Sequence, residues 1–531
     1  MTNGLHVHMM RPSAQSRAEK SRTLLKVLLL FIIPSAFAIT PATAQETAAP
    51  RLSSAVIRGA TLYDPADLFS FYRDHLGKPI DRASVSTIVT ALADRYQADG
   101  YARPRITIDD ELVLLGILRI NVFEARIAAV KIVGDPGPHR DRLERLGAEL
   151  ENGEPLRQQA LQDTLRRMRR LPGLTLTAAT EQDADIPNVY RLDVDADYRL
   201  VGGTVRVTNR GTDDAGPHIV VGQLLANGLL GGRTSAGLMF GAATDYEEFR
   251  GLGVLASSTV GEKGASLSFN AFRSRANPSE TAPDRDDLYV RDRATLRFSK
   301  PLGEASDAST FLNFTFESTD LAISRSGFLL RDERLRMLKL GLSRNWRRGT
   351  VEYVGSVELV KGLDGLNSAL VAIDLVDDGR RADFLVTRLN LIRLARFAPN
   401  WSLRFDAFAQ QTAYTVPYTE RFKIGGERLG RGFDVASIAG DQGLGAKLEL
   451  RRELPGAPRF LGNPAVYGFY DAGATWRQDA PGRDSAATAG FGFAVRDERV
   501  TAALEIARPL THPDVEGKDD ARVFFELTLR L

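Results

Sequence analysis

The residues best placed to do chemistry in this chain are charged rather than nucleophilic. One stretch runs Phe422-Lys423-Ile424-Gly425-Gly426, then Gly430-Arg431-Gly432-Phe433, then Gly440-Asp441-Gln442-Gly443, then Glu449-Leu450-Arg451. It sets one arginine in a long glycine-rich segment. Some 20 residues on, Phe469-Tyr470-Asp471-Ala472-Gly473 offers a carboxylate on a segment that reads as a strand. Glycines let a loop turn tightly and bring its backbone close to a wall. A guanidinium on the tip of such a loop can be received by a strand carboxylate in a bidentate, charge-assisted pair. That chemistry braces a structure; it does not turn over a substrate. No phosphate-binding Gly-x-x-x-x-Gly-Lys-Ser/Thr, no His-Glu-x-x-His and no Gly-x-Ser-x-Gly occurs. The chain has no cysteine, which excludes disulfides, thiolate metal sites and cysteine nucleophiles. His75, His139, His218 and His512 are scattered and read as surface residues, and Asp284, Asp286 and Asp287 lack the spacing of a calcium loop. Neither catalytic residues nor a metal nor a cofactor is expected.

Charge and composition narrow the class further. The 69 Lys+Arg against 67 Asp+Glu give a net charge of +2, so no overall field draws the chain to nucleic acid. With 531 residues and 43% hydrophobic content, the chain is too apolar to be disordered and long enough for several domains. A mean hydropathy of −0.18 fits a soluble protein, but a membrane β-barrel has the same average because lipid-facing and lumen-facing residues alternate.

The elements that must position the arginine and the carboxylate follow from periodicity. From about residue 200 the pattern has period 2. Leu312, Phe314 and Phe316 oppose Asn313, Thr315 and Glu317; Val523, Phe525, Leu527 and Leu529 oppose Arg522, Phe524, Glu526, Thr528 and Arg530 up to the chain's last residue, Leu531. A soluble β-sandwich shows the same alternation. A membrane barrel is favoured by that closing strand and by the amino terminus. There Arg17, Lys20, Arg22 and Lys26 precede the apolar run Val27 to Ile33, and Ala42-Thr43-Ala44 has the form of a signal-peptidase site. Residues 1–44 are therefore expected to be an export signal. Roughly 330 remaining barrel residues at about 10 per strand plus connections allow about 14 to 18 strands.

Between signal and barrel, after a short segment 45–52, the pattern gives the order strand, helix, helix, strand, strand twice, over 53–125 and 126–198. In the first module a strand at Ala55–Ile57 leads to a helix starting at Asp64-Pro65, with Leu68, Phe71, Tyr72 and Leu76 on one face. Asp81 then caps a helix carrying Val85, Ile88, Leu92 and Tyr96. In the second, Leu161, Leu165 and Met168 mark the longer helix, whose Arg166, Arg167, Arg169 and Arg170 read as a solvated basic face.

The two modules resemble POTRA domains, through Gly100-Tyr101 at a helix end, the run from Gly116 to Glu124, and Leu171-Pro172-Gly173. The glycine-rich stretch resembles the inward-folding loop of the POTRA-barrel superfamily, whose Arg pairs with the Asp of a Phe-x-Asp-x-Gly strand. By matching positions these are Arg431 and Asp471, with Phe469 and Gly473 around the latter; Gly430 stands where valine is usual and Phe433 where tyrosine is. Taken together, the chain resembles two-partner (type Vb) secretion transporters, the haemolysin secretion/activation family. Asn209-Arg210-Gly211-Thr212 with Gly216 is similar to that family's first barrel hairpin. The resemblance implies α+β POTRA domains followed by a transmembrane antiparallel β-barrel of sixteen strands over 199–531, with the loop at about 422–443 folded into it. It further implies a monomer in the bacterial outer membrane, in contact with its lipid, with POTRA domains in the periplasm. The partner it implies is a large, β-helical exoprotein, taken up unfolded and passed to the surface without ATP. A barrel insertase of the same superfamily and a passive porin are the alternatives. The segment 45–52 is shorter than the plug helix and linker of some family members, which would leave closure to the loop.

Overall fold

The computed structural model describes residues 50–531 apart from 212–215, 230–231, 262–263, 278–286, 306, 373–379, 457, 459–461 and 512–519. The expected export signal lies outside the described residues, as do His512, Asp284 and Asp286.

Two small modules come first, with the expected order of elements. In the first, Ser54–Arg58 pairs parallel with Ile117–Phe123, whose other edge takes Arg105–Asp109 antiparallel. The helix Arg82–Ala98 covers this sheet because Ile88, Leu92 and Tyr96 form one apolar row, buried against Leu118, Ile120 and Val122. Its start is fixed by a reciprocal cap. The Asp81 carboxylate accepts the Ser84 N–H at 2.7 Å while the Ser84 hydroxyl accepts the Asp81 N–H at 3.1 Å, an arrangement whose loss costs about 1 kcal/mol. Two expectations need correction. The first helix stops at Phe69, where the Ser70 hydroxyl donates back to the Asp67 carbonyl, so Leu76 does not share its face. Leu52 is already buried in the core, so the module begins slightly before residue 53.

The second module repeats the scheme. Arg126–Asp135 pairs parallel with Val189–Tyr198, which pairs antiparallel with Leu174–Gln182. The helices Arg140–Ala148 and Gln158–Arg169 close its core through Leu143, Leu146, Leu165 and Met168.

From Val201 onward, sixteen antiparallel strands close on themselves, and the four-residue strand Ala369–Ala372 adds to the rim of Phe328–Arg348. Closure joins the last strand, Arg522–Arg530, to the first, Val201–Thr208, from Glu526 opposite Thr208 to Arg530 opposite Thr204. Strands vary from 8 residues at Val201–Thr208 to 21 at Phe328–Arg348; the shorter ones already approach the ~9–11 residues that cross a bilayer. Burial on the two faces separates membrane barrel from soluble sandwich. Leu296 and Phe314, on neighbouring strands, are 45% and 48% exposed, while Glu317, on the other face of the strand of Phe314, is 3% exposed. Inside, Glu317 accepts from Arg293 at 2.8 Å and from Lys339 at 3.1 Å. A soluble sandwich buries its apolar face. This wall turns its leucines and phenylalanines outward and its ion pairs inward, the arrangement lipid requires.

The modules are tied to one end of the barrel, and here two further expectations change. The basic helix is not simply solvated: Arg166 Nη1 donates to the Ala305 carbonyl at 3.0 Å, and Arg170 lies 5.7 Å from the centre of the Phe311 ring, both on barrel turns or strands, while Arg167 pairs with Glu149 within the module. His139 is not a surface residue. It is 1% exposed, packs edge-on to Tyr198 at 5.4 Å, and its Nε2 meets the Pro172 carbonyl at 2.9 Å. The Tyr198 hydroxyl in turn donates to Asn227 O of the barrel at 2.6 Å. Sequence spacing carries no trace of the partners of Arg166, Arg170 and Tyr198, because these come together only when module and barrel meet.

Candidate functional site

The strand Trp401–Thr412 leaves the far end of the barrel, and the chain then turns back into the lumen before Gln442–Glu453 descends. Inside that turn Phe422–Ile424 pairs antiparallel with Ile438–Gly440, so the segment 422–440 is a small hairpin with a tip. It is held against the wall by Phe422, Ile424, Leu429, Phe433 and Ile438, all buried in one cluster with Ala486. The wall is carved to take it. A Cβ on Gly443 would stand 2.2 Å from the Phe422 ring, and one on Gly473 would stand 2.9 Å from Ile424. Gly440 has its own backbone against Thr475 and Trp476, and Gly432 lies on Pro509 and Thr488. Gly425, Gly426 and Gly430 adopt φ of +115°, +86° and +84°, which side chains with a Cβ rarely accept. That backbone accounts for glycine at 430, where the resembled motif has valine. Phe433 fills the apolar cluster and needs no hydroxyl partner.

Arg431 and Asp471 are brought together as expected. Nε and Nη2 of Arg431 donate to the two carboxylate oxygens of Asp471 at 3.0 and 2.9 Å, and the backbone N–H groups of Gly430 and Arg431 add two contacts at 3.3 Å. The guanidinium sits 3.4 Å from the centre of the Phe469 ring, so Phe469, Asp471 and Gly473 act from one face of one strand: ring, carboxylate and space. Arg431 is only 5% exposed and Asp471 fully buried, so the pair is shielded from bulk water. Asp441 clasps the loop's base, accepting the Val416 N–H at 2.9 Å and the Gln478 N–H at 2.7 Å.

Several partners escaped the sequence reading. Arg431 Nη1 also donates to Glu505 at 3.1 Å and Glu449 at 3.3 Å; Glu505 further accepts from Arg210 at 2.8 Å and from the Tyr467 hydroxyl at 3.1 Å. Glu333 accepts the N–H groups of Tyr418 and Thr419 at 3.1 and 3.3 Å. Arg206 of the first strand bridges Glu427 of the loop and Glu526 of the last strand, each at 2.6 Å, and Arg522 pairs with Asp434 at 2.6 Å. The available signal was a lone acid at a lumen-facing position, as in Leu504-Glu505-Ile506. Asp287 pairs with Arg325 at 2.6 Å.

The motif residues of the modules gather at joints. Gly100, with φ +85°, ends its helix, and its carbonyl accepts the Gln158 N–H at 3.0 Å; Arg157 stacks 4.4 Å over the Tyr101 ring and donates to its hydroxyl at 2.6 Å. Glu124 accepts from Thr61, Tyr96 and Arg126, the last on the first strand of the next module. Burial pushes its carboxyl up, but those hydrogen bonds prevail and hold it below the usual range. Gly116 passes under the chain at Arg51, where its missing Cβ would meet the Arg51 carbonyl at 2.5 Å. Pro172 supplies the acceptor for His139, and the Gly173 carbonyl accepts the Arg199 N–H at 2.8 Å where the second module runs into the barrel.

Two family models match this chain in the order of its parts. Residues 51–125 match the POTRA domain, ShlB-type, and residues 304–496 match the haemolysin secretion/activation protein ShlB/FhaC/HecB, together about half of the sequence. The chain belongs to the haemolysin secretion/activation family. Among solved structures it is similar to CdiB from Escherichia coli, with a TM-score of 0.71 and 19% identity over 93% of both chains. CdiB from Acinetobacter baumannii gives 0.62 and 16%, covering 92% of this chain and 91% of that one. BamA from Haemophilus ducreyi lacking POTRA domains 1–3 gives 0.51 and 15%, covering 91% and 99%. At these identities the structures support the fold alone. A search of curated proteins finds no match. Membership of this family gives the barrel its place in the outer membrane, with the modules in the periplasm.

Proposed function

We propose that this family member carries one large exoprotein, unfolded, across the outer membrane to the cell surface. The observation that carries the reading is the lumen hairpin latched by Arg431 and Asp471, in a barrel whose periplasmic arm begins with a ShlB-type POTRA domain. The second module, built on the same strand order, is a second POTRA domain. Each sheet leaves two edges, such as Ser54–Arg58 and Arg105–Asp109 in the first, and an extended client can add there through main-chain hydrogen bonds. The hairpin braces the lumen until a client displaces it. The transporter works as a monomer, uses no nucleotide, and is pulled forward by the folding of a β-helical client outside.

The similarity to BamA keeps one rival in view, an insertase of barrel proteins. Comparing the secreted and outer-membrane proteins of cells with and without this gene separates the two. Loss of a single large protein from the medium is the expected result, and depletion of several outer-membrane barrels with an unchanged medium would overturn it.

A further inference from the structure

The outer, lipid-facing wall of the barrel carries a groove. It has a volume of about 850 Å³ and runs across six strands, from Arg344 and Trp346 at one end to Trp476 at the other. Part of its floor lies close to the backbone, because Ala407, Ala446 and Ala472 stand side by side in one cross-strand row that runs from Arg344 through Gly355 and Leu391. Five strand spacings make that row ~24 Å long. With strands tilted ~40° it climbs about 15 Å from the periplasmic end, the depth of one leaflet of a ~30 Å hydrocarbon core.

The lower end has the chemistry of a headgroup site. Trp346 and Tyr353 stack face to face, 5.0 Å between centroids and 4° between planes. Arg344 lies 5.9 Å from the Trp346 ring, and Arg393 follows Tyr353 in the same cross-strand row, about two strand spacings or ~10 Å from the strand of Arg344. On the inward face of these same strands, Arg347 and Arg396 share Glu352 at 3.1 and 3.0 Å. On the outward face Arg344 and Arg393 have no acidic partner among the described residues. Two unpaired guanidinium groups beside an aromatic stack, at the level where lipid phosphates lie, lack only an anion.

We propose that this is a binding site for a phospholipid of the periplasmic leaflet. Its phosphate sits between Arg344 and Arg393, its headgroup rests on the Trp346–Tyr353 stack, and one acyl chain follows the alanine floor. The site rests on the barrel lying in the outer membrane and is independent of which client is carried.

The test uses the full chain extracted in mild detergent, alongside Arg344→Gln/Arg393→Gln, Arg344→Lys/Arg393→Lys, and Ala446→Phe, which fills the groove. Native mass spectrometry and phosphorus after lipid extraction count the phospholipid kept per chain. The natural protein and the lysine pair should retain it, while the glutamine pair and Ala446→Phe should lose it about tenfold or more. Equal retention in all forms, retention of an outer-leaflet glycolipid instead, or a lipid-free dimer joined at this wall would overturn the proposal. Heat-modifiable gel mobility confirms a closed barrel in each variant. Export of the client, which these outward substitutions leave unchanged, reports separately on the transport reading.

Discussion

Arg431 carries the densest set of charged contacts of the lumen hairpin: three carboxylates, Asp471, Glu449 and Glu505, converge on it where water is scarce. Removing one partner of a buried ion pair typically costs about 3–5 kcal/mol, since the others remain buried without a counter-charge. Arg431→Ala should therefore free the tip while the sixteen-stranded wall, held by its own ladder, stays closed. The absence of cysteine makes this measurable: Phe433→Cys introduces a single, buried thiol. Its labelling by a membrane-impermeant maleimide should be slow alone and at least about tenfold faster with Arg431→Ala, and equal rates would sink the bracing role. Arg431→Lys should restore little, because an ammonium cannot make the paired contacts to Asp471. The pair itself was legible in the sequence because glycines and a Phe-x-Asp-x-Gly strand surround it. Glu505 was not, since one inward acid on a barrel strand resembles any other residue of a wet lumen.

At the scale of elements, the hairpin and its wall are one fitted unit. Gly443 and Gly473 are strand residues whose missing side chains make room for Phe422 and Ile424. Gly443→Val would drive a side chain into the Phe422 ring, which cannot bend aside as an aliphatic tip can. We expect this variant to insert normally yet expose the hairpin to added protease and alter export, matching Arg431→Ala although no charge has changed. A protease-resistant hairpin in that variant would show that the wall does not seat it. Period-2 alternation made the strands readable, because lipid and lumen impose opposite demands on successive residues. The helix Gln158–Arg169 was readable by period, but the use of its arginines was not. A basic face looks the same whether it meets water, as a surface helix does, or a carbonyl such as Ala305 O on another domain. The helix end at Phe69 was missed for a local reason, a serine whose hydroxyl competes for the backbone.

The molecule as a whole is a barrel with a jointed arm, and each joint contains a buried titratable group: Glu124 between the modules, and His139 where the second module meets the barrel turn at Gly232, on which an added Cβ would stand 3.2 Å from its Nδ1. Burial lowers the affinity of His139 for a proton, and the hydrogen bond to the Pro172 carbonyl only partly offsets this. With its folded value depressed, the docked arm binds fewer protons than the released one. The contribution of His139 is therefore complete above the ordinary histidine value of about 6.5 and is lost as pH falls below it. Glu124 is also depressed, so its contribution persists until pH drops below the ordinary carboxylate range near 4. The two joints should thus loosen in sequence on acidification, the barrel joint first. A pair of spin labels, one on the second module and one on a periplasmic turn, should show a narrow distance distribution at pH 7.5 and a broader one at pH 5. Labels across the two modules should change only near pH 4. Replacing His139 by Gln, which keeps a donor for Pro172 but cannot charge, should abolish the broadening at pH 5 and leave the change near pH 4 in place. If the His139→Gln protein still loosened at pH 5, another group would have to control the barrel joint.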